Sequence, residues 1–225
     1  MVDLDPAAAA PDPAPDPDRN HDDVIDHVRV TLLRAASEVL ATEGPAALTV
    51  RRIARAAGVS TMNVYSRFGG KEGVVEHLYI EGFTRLRNAM TDDAETDDPL
   101  LDLVRSGQAY RRFALTHPTY YAVMFDGVVP LQPSPAAVEH ASGTLRLLAD
   151  RLHRAMDTGL LAPADPMTTA AGVWAACHGV VSLERKAVGP PGLDWTEVYD
   201  RTCAALLAGL AHGHLPGHVP GDHVP

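Results

Sequence analysis

The feature that most constrains the fold is a pair of short helical segments joined by a tight turn, in the stretch TVRRIARAAGVSTMNVYSRF. Thr49 can cap the first segment, because its hydroxyl can accept a hydrogen bond from an N–H of the first turn. Gly58 ends that segment, since glycine readily adopts a positive φ. Ser60 is the predicted cap of the second segment, in which Val64 and Phe68 lie four residues apart and face a core. This arrangement predicts a helix-turn-helix.

Helical periodicity continues through most of the chain. Apolar residues make up 46% of the sequence and aromatic residues 5%, and the large share of alanine favours packed helices over sheets. Besides the short pair, the spacing predicts helices over about 22–43, 71–90, 100–116, 118–126, 134–158, 165–188 and 194–212. The expected fold class is all-α, with an N-terminal three-helix domain that contains the helix-turn-helix and a C-terminal helical domain.

Composition divides the chain into segments. An acidic break, TDDAETDDP, separates two helical regions and predicts a domain boundary there. The terminal segments are rich in Pro, Ala, Gly and His, with too few large apolar groups to offset the entropy of ordering. The predicted segments are a disordered acidic tail at 1–21, a first domain at 22–90 with the helix-turn-helix at about 49–68, a second domain at 97–213 and a disordered tail at 214–225.

Charge is distributed unevenly along the chain. The formal net charge is -10, yet residues 49–71 contain five Lys and Arg side chains and no acid. An anionic partner responds to such local charge more than to the total. In a helix-turn-helix the second helix enters the major groove of DNA. The basic segment therefore predicts contact with double-stranded DNA.

The residue types of the second short helix suit that task. Asn63 can bridge adenine N6 and N7, Thr61 can bond a base or pack its methyl on thymine, and Met62 can make apolar contacts. Hydroxyl and cationic side chains nearby offer donors to phosphates. The predicted DNA-binding residues are Thr49, Arg52, Ser60, Thr61, Met62, Asn63, Tyr65, Ser66, Arg67 and Lys71.

The segment from about residue 28 to residue 79 resembles the DNA-binding domain of the tetracycline-repressor (TetR) family. The positions in register are Gly44, Thr49, Ile53-Ala54, Gly58-Val59-Ser60, Tyr65, Phe68 and Lys71. The resemblance implies a homodimeric, all-helical repressor that a ligand releases from a palindromic operator. It also implies base contacts by Thr61, Met62 and Asn63 and phosphate contacts by Thr49, Ser60, Tyr65, Arg67 and Lys71. The chain departs from the family at Met62, where a small residue is common, and at Arg67, where histidine is common.

Two patches of the C-terminal half, HPTYYAVMF and VWAACHGVVSLE, resemble the Trp-His-Gly (WHG) type of this family. That resemblance implies an effector-binding and dimer-forming domain. A cavity between helices lined by apolar and aromatic groups would suit a small apolar or aromatic molecule. The candidate lining residues are Tyr110, Phe113, Tyr121, Met124, Phe125, Met156, Trp174 and His178. Each of these side chains is also compatible with an ordinary place in the core.

Two stretches near the end of the chain, TTAAGVWAACHGVVSL and TCAALLAGLA, have stripes of small and apolar residues that would allow helices to pair across a two-fold axis. The same faces are compatible with the interior of a monomer. The helix-turn-helix decides for a homodimer, because each recognition helix reads one half-site and two are needed for useful affinity. Cys177 and Cys203 form neither a disulfide framework nor a metal quartet, which fits a reduced, cytoplasmic setting. No apolar run reaches the ~18 residues of a membrane span, and the acidic N-terminus lacks a signal pattern. We expect no cofactor and no membrane partner.

Three alternatives remain open at this level. An enzyme is disfavoured, because the sequence contains no G-x-S-x-G, phosphate loop, H-E-x-x-H or G-x-G-x-x-G. A metal-responsive regulator would rely on histidines of a Gly/Pro-rich tail, which lack the supporting hydrogen bonds that orient ligating imidazoles. Those histidines are His212, His214, His218 and His223. A helical adaptor would use its helix faces to bind another protein.

Overall fold

The computed structural model describes residues 17–212, with side chains from residue 27 onward. Over that range the chain is helical and contains no strand, which confirms the predicted all-α class. Residues 1–16 of the tail predicted at 1–21, and the whole tail predicted at 214–225, lie outside the described residues.

The helices follow one another with short connections. Their bounds are α1 Pro17–Glu43, α2 Val50–Ala56, α3 Thr61–Phe68, α4 Lys71–Thr91, α5 Pro99–Thr116, α6 Pro118–Tyr121, α7 Pro135–Asp157, α8 Pro166–Arg185 and α9 Trp195–His212. A 3₁₀ helix, Pro45–Ala47, follows α1, and a π-helical turn, Ala122–Asp126, continues α6. Each predicted helix is present close to its expected bounds, apart from the start of α1.

Helix α1 begins at Pro17, earlier than the predicted start at Asp22. Residues 17–21, predicted to belong to the disordered tail, are therefore helical in this structure. Proline is compatible with this position, because the first turn of a helix does not use its N–H groups. The predicted end is confirmed: α1 stops at Glu43, and Gly44 follows with a φ of 79°.

The chain forms two compact units, the first ending at Lys71 and the second beginning at Glu72. This division falls earlier than the acidic break at which the sequence predicts a boundary. Phe83, Leu86 and Met90 of α4 pack in the same hydrophobic core as Tyr110. Helix α4 therefore contributes its apolar residues to the second unit.

The first unit is a three-helix domain in which α1 packs against α2 and α3. Its buried residues are Leu32, Leu33, Ala35, Ala36, Val39, Leu40, Leu48, Ile53, Ala54, Val64 and Phe68. The predicted inward positions Val64 and Phe68 of α3 are confirmed. On α2, Ile53 and Ala54 are buried, whereas Ala57 is half-buried just after the end of the helix.

The turn between α2 and α3 is a Schellman motif. Gly58 has a φ of 68°, and its N–H donates to Arg55 O at 3.2 Å, while Val59 N–H donates to Ala54 O at 3.0 Å. These bonds satisfy carbonyl groups that the end of a helix leaves unpaired. The structure thus confirms the glycine-dependent turn and places α3 directly after α2.

The second unit packs α5, α7, α8 and α9 around shared apolar clusters. The acidic loop before α5 is anchored to it, because Thr96 N–H and Thr96 Oγ1 donate to the Asp102 carboxylate. Arg154 of α7 also pairs with Asp102. Burial alone would raise the pKa of Asp102, but the hydrogen bonds from Thr96 and Arg154 outweigh it and hold that pKa below its usual range. The loop is therefore part of the second unit.

Candidate nucleic-acid interface and effector cavity

Helix α3 presents an exposed face opposite its two buried residues. Met62 is 69% exposed and Tyr65 55% exposed, and Thr61 and Ser66 are exposed as well. A large apolar side chain and an aromatic ring this accessible, on a helix of eight residues, favour a contact surface over a place in the core. The predicted outward positions thus share one surface.

The caps of α2 and α3 differ from each other. Thr49 Oγ1 accepts from Arg52 N–H at 3.2 Å, which confirms the predicted cap of α2. Ser60 has the extended backbone of a cap residue, but its hydroxyl accepts from Asn63 Nδ2 at 3.1 Å instead of from a backbone N–H. Ser60 is therefore the N-cap residue of α3, as predicted, but its hydroxyl bonds the carboxamide of Asn63 and caps no backbone N–H.

Asn63 also links to Arg67. The Arg67 Nη1 group donates to Asn63 Oδ1 at 2.7 Å, and Arg67 is half-buried. The spacing of three and four residues places Ser60, Asn63 and Arg67 in one row on the helix. Without DNA, the amide of Asn63 is therefore already satisfied on both sides, and a base contact requires these bonds to be exchanged.

Arg52 pairs with an acid that lies outside the basic segment. Its Nε donates to Glu43 Oε2 at 3.0 Å and its Nη2 to Glu43 Oε1 at 2.5 Å. Glu43 is the last residue of α1, so the segment is free of acids along the sequence but not in space. Arg51 and Arg55, which the prediction did not include, are exposed and belong to the same segment. Lys71 is half-buried at the start of α4.

The second unit contains a cavity of about 230 Å³ whose wall is almost entirely apolar. Helices α4, α5, α7, α8 and α9 contribute to this wall, together with the π-helical turn. Of the predicted lining residues, Tyr110, Phe125 and Trp174 line the cavity. The structure therefore brings aromatic side chains from three separate elements to one apolar site.

The other predicted lining residues lie elsewhere in the core. Phe113, Tyr121 and Met124 are buried in the same hydrophobic cluster as Tyr110 but do not line the cavity. Phe113 stacks on His117 with ring centroids 5.1 Å apart. Met156 belongs to a separate cluster with Leu152 and Leu161. Their helices turn these side chains toward neighbouring helices, which spacing along the sequence does not reveal.

His178 is a hydrogen-bonded core residue beside the cavity. Its Nδ1 lies 2.9 Å from Tyr110 Oη and 3.0 Å from Tyr121 Oη. Burial raises the pKa of both tyrosines and lowers the pKa of His178, so all three groups are neutral near pH 7. Its ring also lies 5.5 Å from that of Trp174. His178 therefore orients Tyr110 and Trp174 without lining the cavity itself.

Helices α8 and α9 leave much of their apolar surface uncovered. The buried residues of α8 are Ala170, Cys177 and Val181, and Tyr199 is buried on α9. Trp174 is 37% exposed and Leu183 is 45% exposed. These are the helices in which the sequence predicts a pairing face.

The family now follows from two matches. A family model described as bacterial regulatory proteins of the tetR family matches residues 32–78. A second, described as a tetracyclin repressor-like C-terminal domain, matches residues 103–219, more than half of the chain. The chain belongs to the TetR family. It is therefore a transcriptional regulator with an N-terminal DNA-binding domain, in a family of regulators rather than enzymes.

Known proteins are similar to this chain over most of their own length. An HTH-type transcriptional regulator of Mycobacterium tuberculosis is 23% identical, and the match covers 84% of this chain and 94% of the relative. A protein with unknown function from Rhodococcus sp. RHA1 has a TM-score of 0.73 at 25% identity, with coverage of 82% and 95%. The TetR family regulator PfmR from Thermus thermophilus has a TM-score of 0.62 at 22% identity, with coverage of 80% and 98%.

Two further observations on this TetR-family chain concern metal binding and membrane insertion. Among the described residues, no group of three or more His, Cys, Asp or Glu side chains is placed to hold a metal ion. His212 Nδ1 lies 2.6 Å from Ala208 O, and the remaining histidines of the predicted metal alternative lie outside the described residues. Between residues 17 and 212, no helix has both the length and the apolar character needed to cross a membrane.

Proposed function

We propose that this TetR-family regulator is a homodimeric repressor that a small apolar or aromatic effector releases from a palindromic operator. The observation that carries the proposal is the presence, on one chain, of an exposed recognition surface on α3 and an apolar cavity in the second unit. The first suits a DNA major groove, and the second suits a small ligand.

The DNA contacts follow from exposure and chemistry. Thr61, Met62 and Asn63 meet bases, because they occupy the first turn of α3, where a recognition helix approaches base edges. Thr49, Arg52, Ser60, Tyr65, Ser66, Arg67 and Lys71 contact phosphates or sugars. Asn63 gives up its bonds to Ser60 and Arg67 on binding, which frees the Arg67 guanidinium for a phosphate.

The dimer forms through α8 and α9, whose uncovered faces contain small and apolar residues. Such faces allow close backbone approach, and a two-fold axis makes the interface self-complementary. Two recognition helices then read half-sites about 34–36 Å apart. The Trp174-x-x-x-His178-Gly179 pattern supports a second unit of the Trp-His-Gly type.

The cavity volume limits the effector. Drug-sized ligands occupy pockets of roughly 300–1,000 Å³, and an apolar cavity of about 150 Å³ holds benzene. A cavity of about 230 Å³ therefore suits a molecule somewhat larger than a single ring. Such a ligand binds more tightly to the state of the dimer that does not bind DNA. The ratio of its affinities for the two states sets the largest fall in operator affinity that it can cause.

Selection of genomic fragments by the purified protein, at near-physiological salt, tests the DNA-binding part of the proposal. We expect enrichment of a palindromic sequence and its loss in an Asn63→Ala, Tyr65→Ala double variant that still dimerises by analytical ultracentrifugation. Operator affinity should also fall ~10³–10⁵-fold between ~50 and ~200 mM salt if the dimer neutralises ~6–10 phosphates. A library with no enriched sequence would overturn the repressor and favour the helical adaptor.

A further inference from the structure

The two cysteines of the chain lie side by side in the wall of the cavity. Cys177 on α8 and Cys203 on α9 are 26 positions apart, yet their Sγ atoms are 3.9 Å apart. Both are free, and both line the cavity. A disulfide needs the sulfur atoms to approach to about 2.05 Å. The two sulfur atoms are therefore neighbours, and they must approach each other further for a bond to form.

The surroundings hold the pair in position. Tyr199 lies one turn before Cys203 on α9, and its hydroxyl donates to Gly107 O of α5 at 2.6 Å. Gly107 lies close to both side chains, since a Cβ there would make ordinary van der Waals contacts with Tyr199 Oη at 3.5 Å and with Cys203 Sγ at 3.8 Å. The dithiol is thus packed between α5, α8 and α9.

The two thiols differ in reactivity. The contact between the two sulfur atoms, in which either thiol can be the donor, lowers the pKa of Cys177 to about 7 and raises the pKa of Cys203. The thiolate is the nucleophilic form of cysteine. The direction of these shifts favours Cys177 as the attacking thiol and Cys203 as the thiol that resolves the product.

The route to the thiols determines which kind of oxidant can reach them. Cys177 is 7% exposed, and the cavity that it lines is almost entirely apolar. An apolar molecule gains free energy on entering such a site, while a small polar oxidant loses hydrogen bonds to water that the wall does not replace.

We propose that Cys177 and Cys203 form an oxidisable dithiol site whose substrate is a small apolar organic hydroperoxide. Oxidation links α8 to α9 through an intramolecular disulfide in the cavity wall. The modification itself is independent of the proposed repressor function. Its consequence, a changed operator affinity, rests on that function.

The reaction balances without another reagent. The Cys177 thiolate attacks the distal oxygen of the hydroperoxide, so an S–O bond forms, the O–O bond breaks and the alkoxide leaves as an alcohol after taking up a proton. Cys203, as its thiolate, then attacks the sulfur of the Cys177 sulfenic acid. The S–S bond forms, the S–O bond breaks and hydroxide leaves as water after protonation. Two thiols and one hydroperoxide thus give one disulfide, one alcohol and one water.

The disulfide would join α8 and α9, which contribute both to the cavity wall and to the proposed dimer face. It draws the walls contributed by α8 and α9 together, so it changes the cavity that we propose for the effector. The same helices carry the proposed dimer face. Oxidation is therefore expected to alter effector affinity and, through the dimer, operator affinity.

The test uses the full chain, reduced and then exposed without oxygen to cumene hydroperoxide or hydrogen peroxide at equal concentration. Iodoacetamide quenches each time point, and mass spectrometry of the denatured protein counts alkylated thiols and maps linked peptides. We expect loss of both thiols and a Cys177–Cys203 linkage, formed about tenfold faster with cumene hydroperoxide. Unreacted thiols, or a disulfide between chains, would overturn the dithiol site. Equal or faster reaction with hydrogen peroxide would overturn the apolar substrate.

Single variants separate the roles of the two thiols. Cys203→Ala should leave a Cys177 sulfenic acid that dimedone traps, whereas Cys177→Ala should give no trapped product at Cys203. Circular dichroism checks that both variants fold. If either variant does not fold, disulfide formation in the wild-type chain still tests the dithiol site. Dimedone labelling at Cys203 would reverse the assigned roles. Mass spectrometry detects the disulfide without DNA. Failure to find an operator would therefore refute the proposed repressor but would not affect the evidence for the dithiol site.

Discussion

The recognition surface of α3 and the cavity of the second unit are built in opposite ways. The exposed residues of α3 come from a single run of eight positions, and their direction follows from Val64 and Phe68 facing the core. The cavity draws its wall from residues as far apart as Phe83 and Leu207. Local spacing therefore determines the first site, whereas the second depends on how distant helices pack.

The largest expected effect concerns the difference between the buried and the exposed face of α3. We expect Phe68→Ala to destabilise the first unit by about 3–5 kcal/mol, because it leaves a cavity in a small core. Tyr65→Ala, three residues earlier on the exposed face, should change stability by no more than about 0.5 kcal/mol. Hydrogen exchange of the amides of residues 49–71 measures both. Comparable losses in the two variants would show that the faces are not distinct.

The cavity can be tested by filling it. Val173 lines the wall on α8, so Val173→Phe should weaken binding of naphthalene, a fluorescent two-ring hydrocarbon, by about tenfold, or ~1.4 kcal/mol. Val138→Phe, at an exposed position of α7, is the matched control and should leave naphthalene affinity unchanged. Titration by fluorescence measures each. An unchanged affinity in the Val173 variant would mean that naphthalene binds elsewhere.

A smaller effect is expected where two elements of the second unit approach closely. A Cβ at Gly82 of α4 would lie 2.5 Å from Met124 Sδ and 2.9 Å from Met124 Cγ. Gly82→Ala should cost about 1 kcal/mol, at the low end for overpacking because methionine is flexible. Gly143→Ala on α7, where the nearest atom is Arg87 Nη1 at 3.5 Å, should be neutral or stabilising. Urea unfolding compares the two, and a stabilised Gly82 variant would contradict the close approach.

The smallest effect concerns the charge of the first unit. Glu43→Gln should release Arg52 and raise DNA affinity about two- to fivefold at low salt, with the gain lost at high salt. Glu38→Gln removes an equal charge from α1, from an acid that lies 3.8 Å from exposed Arg34, and serves as the control. Fluorescence anisotropy with a labelled operator measures both. Equal gains would show that net charge, and not the Arg52 pair, controls affinity.

These differences explain what the sequence could predict. The turn at Gly58 and the inward positions Val64 and Phe68 are local consequences of chain geometry, so spacing was sufficient. The bond between Arg52 and Glu43 spans nine positions and depends on the angle between α1 and α2. Phe113 and Met156 are large and mainly apolar side chains, as Tyr110 is, yet they pack in the core and do not line the cavity. The orientation of their helices decides this difference. Periodicity identifies a buried face but does not distinguish core from cavity wall.

The two faces of α3 also have a consequence for how such a regulator diversifies. Its folding depends on Val64 and Phe68, so the exposed positions Thr61, Met62 and Ser66 are free of that constraint. Under the proposed function, substitutions of Thr61 and Met62 change the preferred DNA sequence while the cavity in the second unit stays unchanged. One scaffold then supplies a set of orthogonal genetic switches that respond to the same proposed effector at different promoters.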